Sequence, residues 1–297
     1  MHVRVIGTPM DLGADRRGVD FGASAIRYAN LNTRLRSLGH TVHDIGNLVV
    51  PQPESQPLGN PKLKYLEPIV QVCEELANIV TTTLEAGEFP LVLGGDHSIA
   101  LGSIAGVARV HKNVGVIWVD AHADFNTSET TPSGNIHGMI LAASAGLGES
   151  RLTDIAGWSP KVNKQNIVII GARDLDRHEQ VYLREQAIHV FTMSDIDQKG
   201  ISVVMREAVT IAGQNNDGIH LSLDMDALDP KEAPGVGTPV KGGLTYREAH
   251  LAMEMIADSG QLVAMDVVEV NPILDRENAT ALLAVELVLS ALGKKIL

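Results

Sequence analysis

Short apolar runs alternate with longer amphipathic stretches from one end of the chain to the other. The short runs, bounded by Gly, Pro, Asn or Asp, read as strands. They fall at Val3–Ile6, Thr41–Ile45, Pro90–Leu93, Val114–Val119, Asn166–Ile170, His189–Phe191, Ile219–Leu223 and Leu262–Val268. Helical patterns lie between them, at Ala23–Leu38, Lys64–Ala86, Ile99–His111, His178–Gln186, Ile201–Ala212, Tyr246–Asp258 and Ala279–Leu292. Such alternation predicts a parallel sheet with helical crossovers. Eight units of this kind could close as a barrel or stay open and doubly wound, and periodicity does not choose between them. In either case ligands gather at the C-terminal ends of the strands. No repeat is visible. Pro51 to Pro61 is the only linker-like stretch; it is short and reads as a surface excursion within one domain spanning 1–297.

Composition narrows the class. The 297 residues are 44% hydrophobic, enough for one large core or two small domains. A net charge of −12 argues against nucleic acid or an anionic membrane as partner. The single cysteine, Cys73, sits in an apolar helical pattern and is expected to be buried. One cysteine forms no internal disulfide, which favours a reducing compartment. The first residues enter a strand without a signal-peptide core, and no apolar run reaches the roughly 18 residues that span a bilayer. The expected location is the cytoplasm.

The chemistry is concentrated in three segments. Asp120-Ala-His-Ala-Asp124 follows the strand Val114–Val119. Side chains alternate in extended backbone, so residues 120, 122 and 124 project to one side if that geometry continues. A second run, Ser222-Leu-Asp-Met-Asp226, follows Gly218–Leu221. Aspartates two apart lie about 6–7 Å from each other in extended chain. At an effective dielectric of about 20 they repel by roughly 2.5–3 kcal/mol. One exposed pair would relax this in water. Two pairs on apolar strands call for cations or protons. The third segment, Gly94-Gly-Asp-His-Ser98, follows Pro90–Leu93. Alone it is a strand-to-helix turn with a capping serine; with the other two it offers His97 as a ligand. Four Asp and two His make an oxygen-rich set that suits Mn²⁺ better than Zn²⁺. Four carboxylates also balance two divalent cations, and two such ions can lower the pKa of a shared water and orient it as a nucleophile.

Longer stretches carry a resemblance. Asp120 to Met139 matches the pattern DAHxDxN followed by SGNxHGM. Ser222 to Pro230 matches S-x-D-x-D-x-x-D-P, and Pro234–Pro239 and Gly242–Glu248 follow it. Gly7–Gly13 and Arg17–Gly22 fit the same source. The chain resembles the ureohydrolases, and within them arginases of bacterial type, from the first strand to the last helix.

That resemblance implies an α/β single domain with an open, mainly parallel eight-stranded sheet and helices on both faces, the arginase/deacetylase-like fold. It implies that His97, Asp120, Asp124 and Asp224 hold one Mn²⁺ and His122, Asp120, Asp224 and Asp226 a second, with Asp120 and Asp224 bridging. It implies hydrolysis of L-arginine to L-ornithine and urea by a metal-bridging hydroxide, with activity rising into the alkaline range. Asp124 would hydrogen-bond that hydroxide, His137 would shuttle protons, and Glu269 would orient the guanidinium. Asp266, on the same strand as Glu269, is read as structural. Asn126, Thr131, Ser133 and Asn135 would serve the substrate α-carboxylate, and Asp176 the α-amino group. Thr238 would line the pocket. The resemblance further implies a homo-oligomer, hexamer or trimer, with Arg247 and Glu248 at interface positions. The stretch Lys294–Leu297 lacks the longer tail of animal arginases, which leaves room for a different trimer. Agmatinase or another guanidino-specific ureohydrolase is the alternative, and residues 126–137 separate the two. A non-catalytic metal-binding protein is a third reading; His137 and Glu269 beside six ligands argue against it.

Overall fold

The computed structural model describes residues 1–295; Ile296 and Leu297, which end the Lys294–Leu297 stretch, lie outside the described residues. In chain order the elements are β1 His2–Thr8, α1 Gly22–Tyr28, α2 Leu31–Ser37, β2 Thr41–Asn47, β3 Gly59–Asn60, β4 Leu63–Lys64 and α3 Leu66–Glu85. Next come β5 Phe89–Gly94, α4 Ala100–Val110, β6 Val114–Val119, α5 Ile140–Ser144, α6 Ser150–Thr153, β7 Ile167–Ala172 and α7 Arg177–Glu185. The last are β8 His189–Thr192, α8 Met193–Lys199, α9 Ile201–Ala212, β9 Gly218–Asp224, α10 Tyr246–Ser259, β10 Leu262–Val268 and α11 Ala279–Ala291.

Eight strands form one sheet in the order β2-β1-β5-β10-β9-β6-β7-β8. All its pairings are parallel, and the order ends at β2 and β8 without joining them, so the sheet is open and doubly wound rather than closed. Strand alternation sorts two cores. Ile117 and Val119 of β6 and Val168 and Ile170 of β7 face α1, α2 and α8 to α11. Val114, Val116 and Trp118 of β6, with Ile167 and Ile169 of β7, face α3, α4 and α5. Residues i and i+2 share a face, so each strand feeds both layers and reads as a continuous apolar run. The edge strand β2 carries His43 and Asp44 and is mostly exposed, which discourages pairing with another chain.

Differences from the sequence reading have local causes. Ala23–Leu38 is two helices, because Asn30 takes a left-handed conformation at φ 64, one that Asn tolerates well. Asn166 ends a 3₁₀ turn rather than starting β7. The short helices α5, α6 and α8 span too few turns to show a period. The Pro51–Pro61 excursion contains a 3₁₀ turn at Pro53–Ser55 and the first strand of the β3–β4 hairpin. Cys73 is buried on α3 as expected.

Candidate active site

The four central strands, β5, β10, β9 and β6, end at one place. His97 opens the 3₁₀ turn after β5, Asp120 follows β6, Asp224 closes β9, and Glu269 follows β10. Topology makes this the crevice of the sheet: β5 and β6 follow each other along the chain, yet β10 and β9 lie between them. The Gly94-Gly95 turn lets β5 pass close to its neighbour; a Cβ on Gly95 would lie 1.8 Å from Met10 O. Asp96 then caps the turn, accepting from Ser98 N at 2.9 Å and Gly13 N at 2.7 Å.

His97 Nδ1 stands 3.1 Å from Asp120 Oδ2 and 3.2 Å from both Asp124 Oδ2 and Asp224 Oδ2. His122 Nδ1 stands 3.3 Å from Asp120 Oδ1 and 3.1 Å from Asp226 Oδ2. The two oxygens of Asp120 therefore serve two clusters, His97–Asp120–Asp224 and Asp120–His122–Asp226, each with ligand atoms close enough to hold an ion. All of these residues are buried except His122, which is part-buried. His97 Nδ1 is buried and makes no hydrogen bond, although three carboxylates surround it. An orphaned ring nitrogen aimed at carboxylate oxygens fits a metal site, and the oxygen-rich donor set suits Mn²⁺.

Neighbouring groups orient these ligands. Ser222 Oγ bonds His97 Nε2 at 2.8 Å, which leaves Nδ1 for the metal side. The Trp118 ring stacks on His97 with centroids 3.8 Å apart, and its indole N–H donates to Asp120 Oδ2 at 2.9 Å. Backbone N–H groups of His122, Ala121 and Asp226 donate to Asp120, Asp226 and Asp224 respectively. Thr238 Oγ1 donates to Asp226 Oδ2 at 2.9 Å. Burial and facing carboxylates push the Asp224, Asp226 and Asp124 carboxyls up from their usual range. Asp120 goes the other way: burial opposes it, but the two imidazoles hold its carboxyl low. Asp124 and Glu269 take left-handed backbone conformations, φ 48 and 62, which cost on the order of 1–3 kcal/mol each and cluster at functional sites.

His137 and Glu269 meet at the same crevice. His137 Nδ1 lies 3.3 Å from Glu269 Oε1, and that oxygen also accepts from His97 N at 2.9 Å. Burial would lower the His137 imidazolium, but the facing Glu269 carboxylate outweighs it and pushes it up to about 9. Asp266 lies apart, buried between Ser103 Oγ at 2.6 Å and His220 Nε2 at 2.8 Å.

A cavity of about 240 Å³ opens beside the clusters, lined by His122, Asp124, Asn126, His137, Asp176 and Thr238 among others. Asn126 Nδ2 donates to Asp176 Oδ2 at 2.8 Å, and Asp176 Oδ1 caps α7 through His178 N and Glu179 N. Thr131, Ser133 and Asn135 sit on the intervening loop, outside the lining. There the Thr131 and Ser133 hydroxyls accept from Gly134 N and Asn135 N. Two acids absent from the sequence reading join the lining, Asp174 and Glu179. Glu179 is buried and accepts from Phe125 N at 2.9 Å. Burial pushes its carboxyl up to about 8. Its spacing from Asp176 is that of a helix cap and its partner, which disguises it in the sequence. A larger cavity, about 670 Å³, lies at the opposite ends of β6 to β9 beside Lys112, Asn163 and Asn216, far from these clusters.

Comparison with known proteins agrees with this geometry. A family model described as "Arginase family" matches residues 1–293. The arginase of Brevibacillus brevis is 55% identical over 296 residues, covering 100% of this chain and 99% of that one. The native structure of Bacillus caldovelox arginase superposes with a TM-score of 0.97 at 50% identity, covering 99% of both chains. The Entamoeba histolytica arginase in complex with L-ornithine does so with a TM-score of 0.90 at 32% identity, also over 99% of both.

Proposed function

The chain belongs to the arginase family, and from that premise we propose that it hydrolyses L-arginine to L-ornithine and urea with two Mn²⁺ per subunit in a single catalytic domain, 1–297. One observation carries the two-metal reading: Asp120 presents one oxygen to His97 and the other to His122. His97, Asp120, Asp124 and Asp224 would hold one ion, and His122, Asp120, Asp224 and Asp226 the other. When bound, the ions lower the pKa of water and orient it toward the guanidinium carbon.

The chain's own groups supply the rest. Asp124, buried and facing His97, accepts the water's proton. His137, held as imidazolium by Glu269, donates one to the departing amine. Glu269 Oε1 is committed to His97 N and His137, so its other oxygen is the one available to the guanidinium. Glu179 and Asp176 favour a cation, because an arriving ammonium restores charge to a carboxylate whose burial resists it. On this reading the α-amino group would lie beside α7, and Asn126, Ser133, Thr131 and Asn135 would serve the α-carboxylate. Thr238 serves by fixing Asp226.

Assembly as a homo-oligomer, hexamer or trimer, belongs to the same proposal. Arg247 supports it: its side chain is 65% exposed, and its ion-pair partner among the described residues, Glu254, is 3.8 Å away. Glu248 instead closes the capping box of α10 with Thr245. A cytoplasmic location is proposed from the lone free cysteine; among the described residues no helix is long and apolar enough to cross a membrane.

The test is steady-state turnover of arginine and agmatine with Mn²⁺. Urea release from arginine, abolished by chelation and with two Mn²⁺ counted per chain, is the expected result. Faster turnover of agmatine would make the protein an agmatinase instead.

A further inference from the structure

The β3–β4 hairpin takes no part in the main sheet, yet it is fastened to the loop at the far end of the site. Lys62 Nζ donates to Thr131 O at 2.7 Å. Lys64 donates twice, from its backbone N–H to Gly134 O at 3.1 Å and from Nζ to Asn135 Oδ1 at 2.9 Å. The same ammonium is held by Asp15 at 2.8 and 3.0 Å. Gly13, two residues before, accepts from His137 N at 3.1 Å. Gly134 sits at φ 78, and a Cβ there would lie 1.9 Å from Pro61 O. The hairpin and the loop thus meet backbone to backbone, with room for glycine alone.

These contacts decide which polar atoms the loop can offer. An ammonium has donors and no acceptor, so Lys64 takes the oxygen of the Asn135 amide and leaves its NH₂ facing elsewhere. Asn135 is buried, so the reversed amide would set its own donors against the ammonium in a poorly hydrated place. Lys62 in turn draws the Thr131 carbonyl toward the hairpin. Two acceptors are therefore turned away and donors remain, with the Lys62 charge beside them while Asp15 offsets that of Lys64, in a chain whose net charge is −12. A carboxylate is the ligand that benefits.

We propose that the Gly59–Lys64 hairpin is a specificity element for substrates bearing an α-carboxylate, with Lys62 and Lys64 as positioning residues that turn the acceptors of the 131–135 loop away from it. This rests on the arginine reading above.

Lys64→Met in the Mn²⁺-loaded protein tests it, by removing the charge and keeping most of the length. The KM for arginine should rise about tenfold, the scale of one hydrogen bond to a charged group, with kcat unchanged. The inhibition constant of agmatine, which lacks only the carboxylate, should stay within about twofold of its starting value. Lys64→Arg should recover most of the loss. Lys62→Met should act in the same direction, and it carries the test if Lys64→Met does not fold. Equal weakening of arginine and agmatine, or an unchanged KM in both methionine variants, overturns the proposal. If the unmodified protein releases no urea from arginine, the arginine reading fails on its own. Calorimetric titration with ornithine and putrescine then decides for the hairpin: a loss confined to ornithine supports it, and an equal loss or none overturns it.

Discussion

The two ends of the site are built differently. The metal end stands on the tips of four adjacent parallel strands, and almost all its ligands are buried and held by backbone or side-chain donors. The proposed substrate end stands on a loop, a two-residue-strand hairpin and the first turn of α7. Its groups are hydroxyls, amides and the carboxyls of Asp174, Asp176 and Glu179, of which Glu179 resists ionising. On the proposed function the sheet would fix the chemistry and the loops what enters, the usual division between a rigid scaffold and the segments it displays.

The largest effect should come from breaking the shared carboxylate. Asp120→Ala removes an oxygen from each cluster and should lose both ions, with activity falling by a factor on the order of 10³ or more. Asp226→Ala touches one cluster and should mainly weaken one ion. Metal counting on the purified variants separates the cases. One tightly held ion in Asp120→Ala would show that the two clusters are independent.

A smaller effect is expected one layer out. Ser222→Ala frees the Nε2 of His97, so the ring is no longer fixed with Nδ1 toward the carboxylates. Loss of such an orienting bond weakens metal affinity by about 10–100-fold. Competition with a chelator measures it, and the KM for arginine at saturating Mn²⁺ should not move. A shift in KM with metal affinity intact would mean that the two ends are not separable.

Legibility in the sequence follows the same division. Asp120, His122, Asp124, Asp224, Asp226 and His97 stand out because strand alternation and short turns convert sequence spacing directly into geometry. The open sheet was not decidable from periodicity; pairing across it joins strands far apart in the chain, as β5 with β10. Ser222 and Trp118 look like ordinary residues of buried strands, and their roles appear only when β5, β6 and β9 lie side by side. The β3–β4 hairpin has no pattern to find: its strands are two residues each, and tertiary contacts hold it. Glu179 was hidden for a third reason, since helix capping already explains an acid three residues after Asp176.

Glu179 sharpens the comparison through stability rather than turnover. Its carboxyl goes from 4.5 to about 8 on folding because burial penalises the charge. Below pH 4.5 folded and unfolded chains both hold the proton, and Glu179 costs nothing. Between 4.5 and 8 the unfolded chain loses it first, so the folded state is progressively disfavoured; above 8 the penalty is complete, at about 1.4 kcal/mol for each tenfold difference in proton affinity between the two states. Gln mimics the neutral acid. Glu179→Gln should therefore match the parent's Tm near pH 4 and exceed it by several degrees near pH 9. Arginine or ornithine should narrow that gap, because the α-ammonium gives the carboxylate a partner that Gln cannot use equally, and the same variant should bind ornithine more weakly. A Tm difference independent of pH would mean that folding leaves the Glu179 carboxyl at its ordinary value. The proposed substrate end would then carry an ordinary carboxylate before binding, and burial would no longer set its charge.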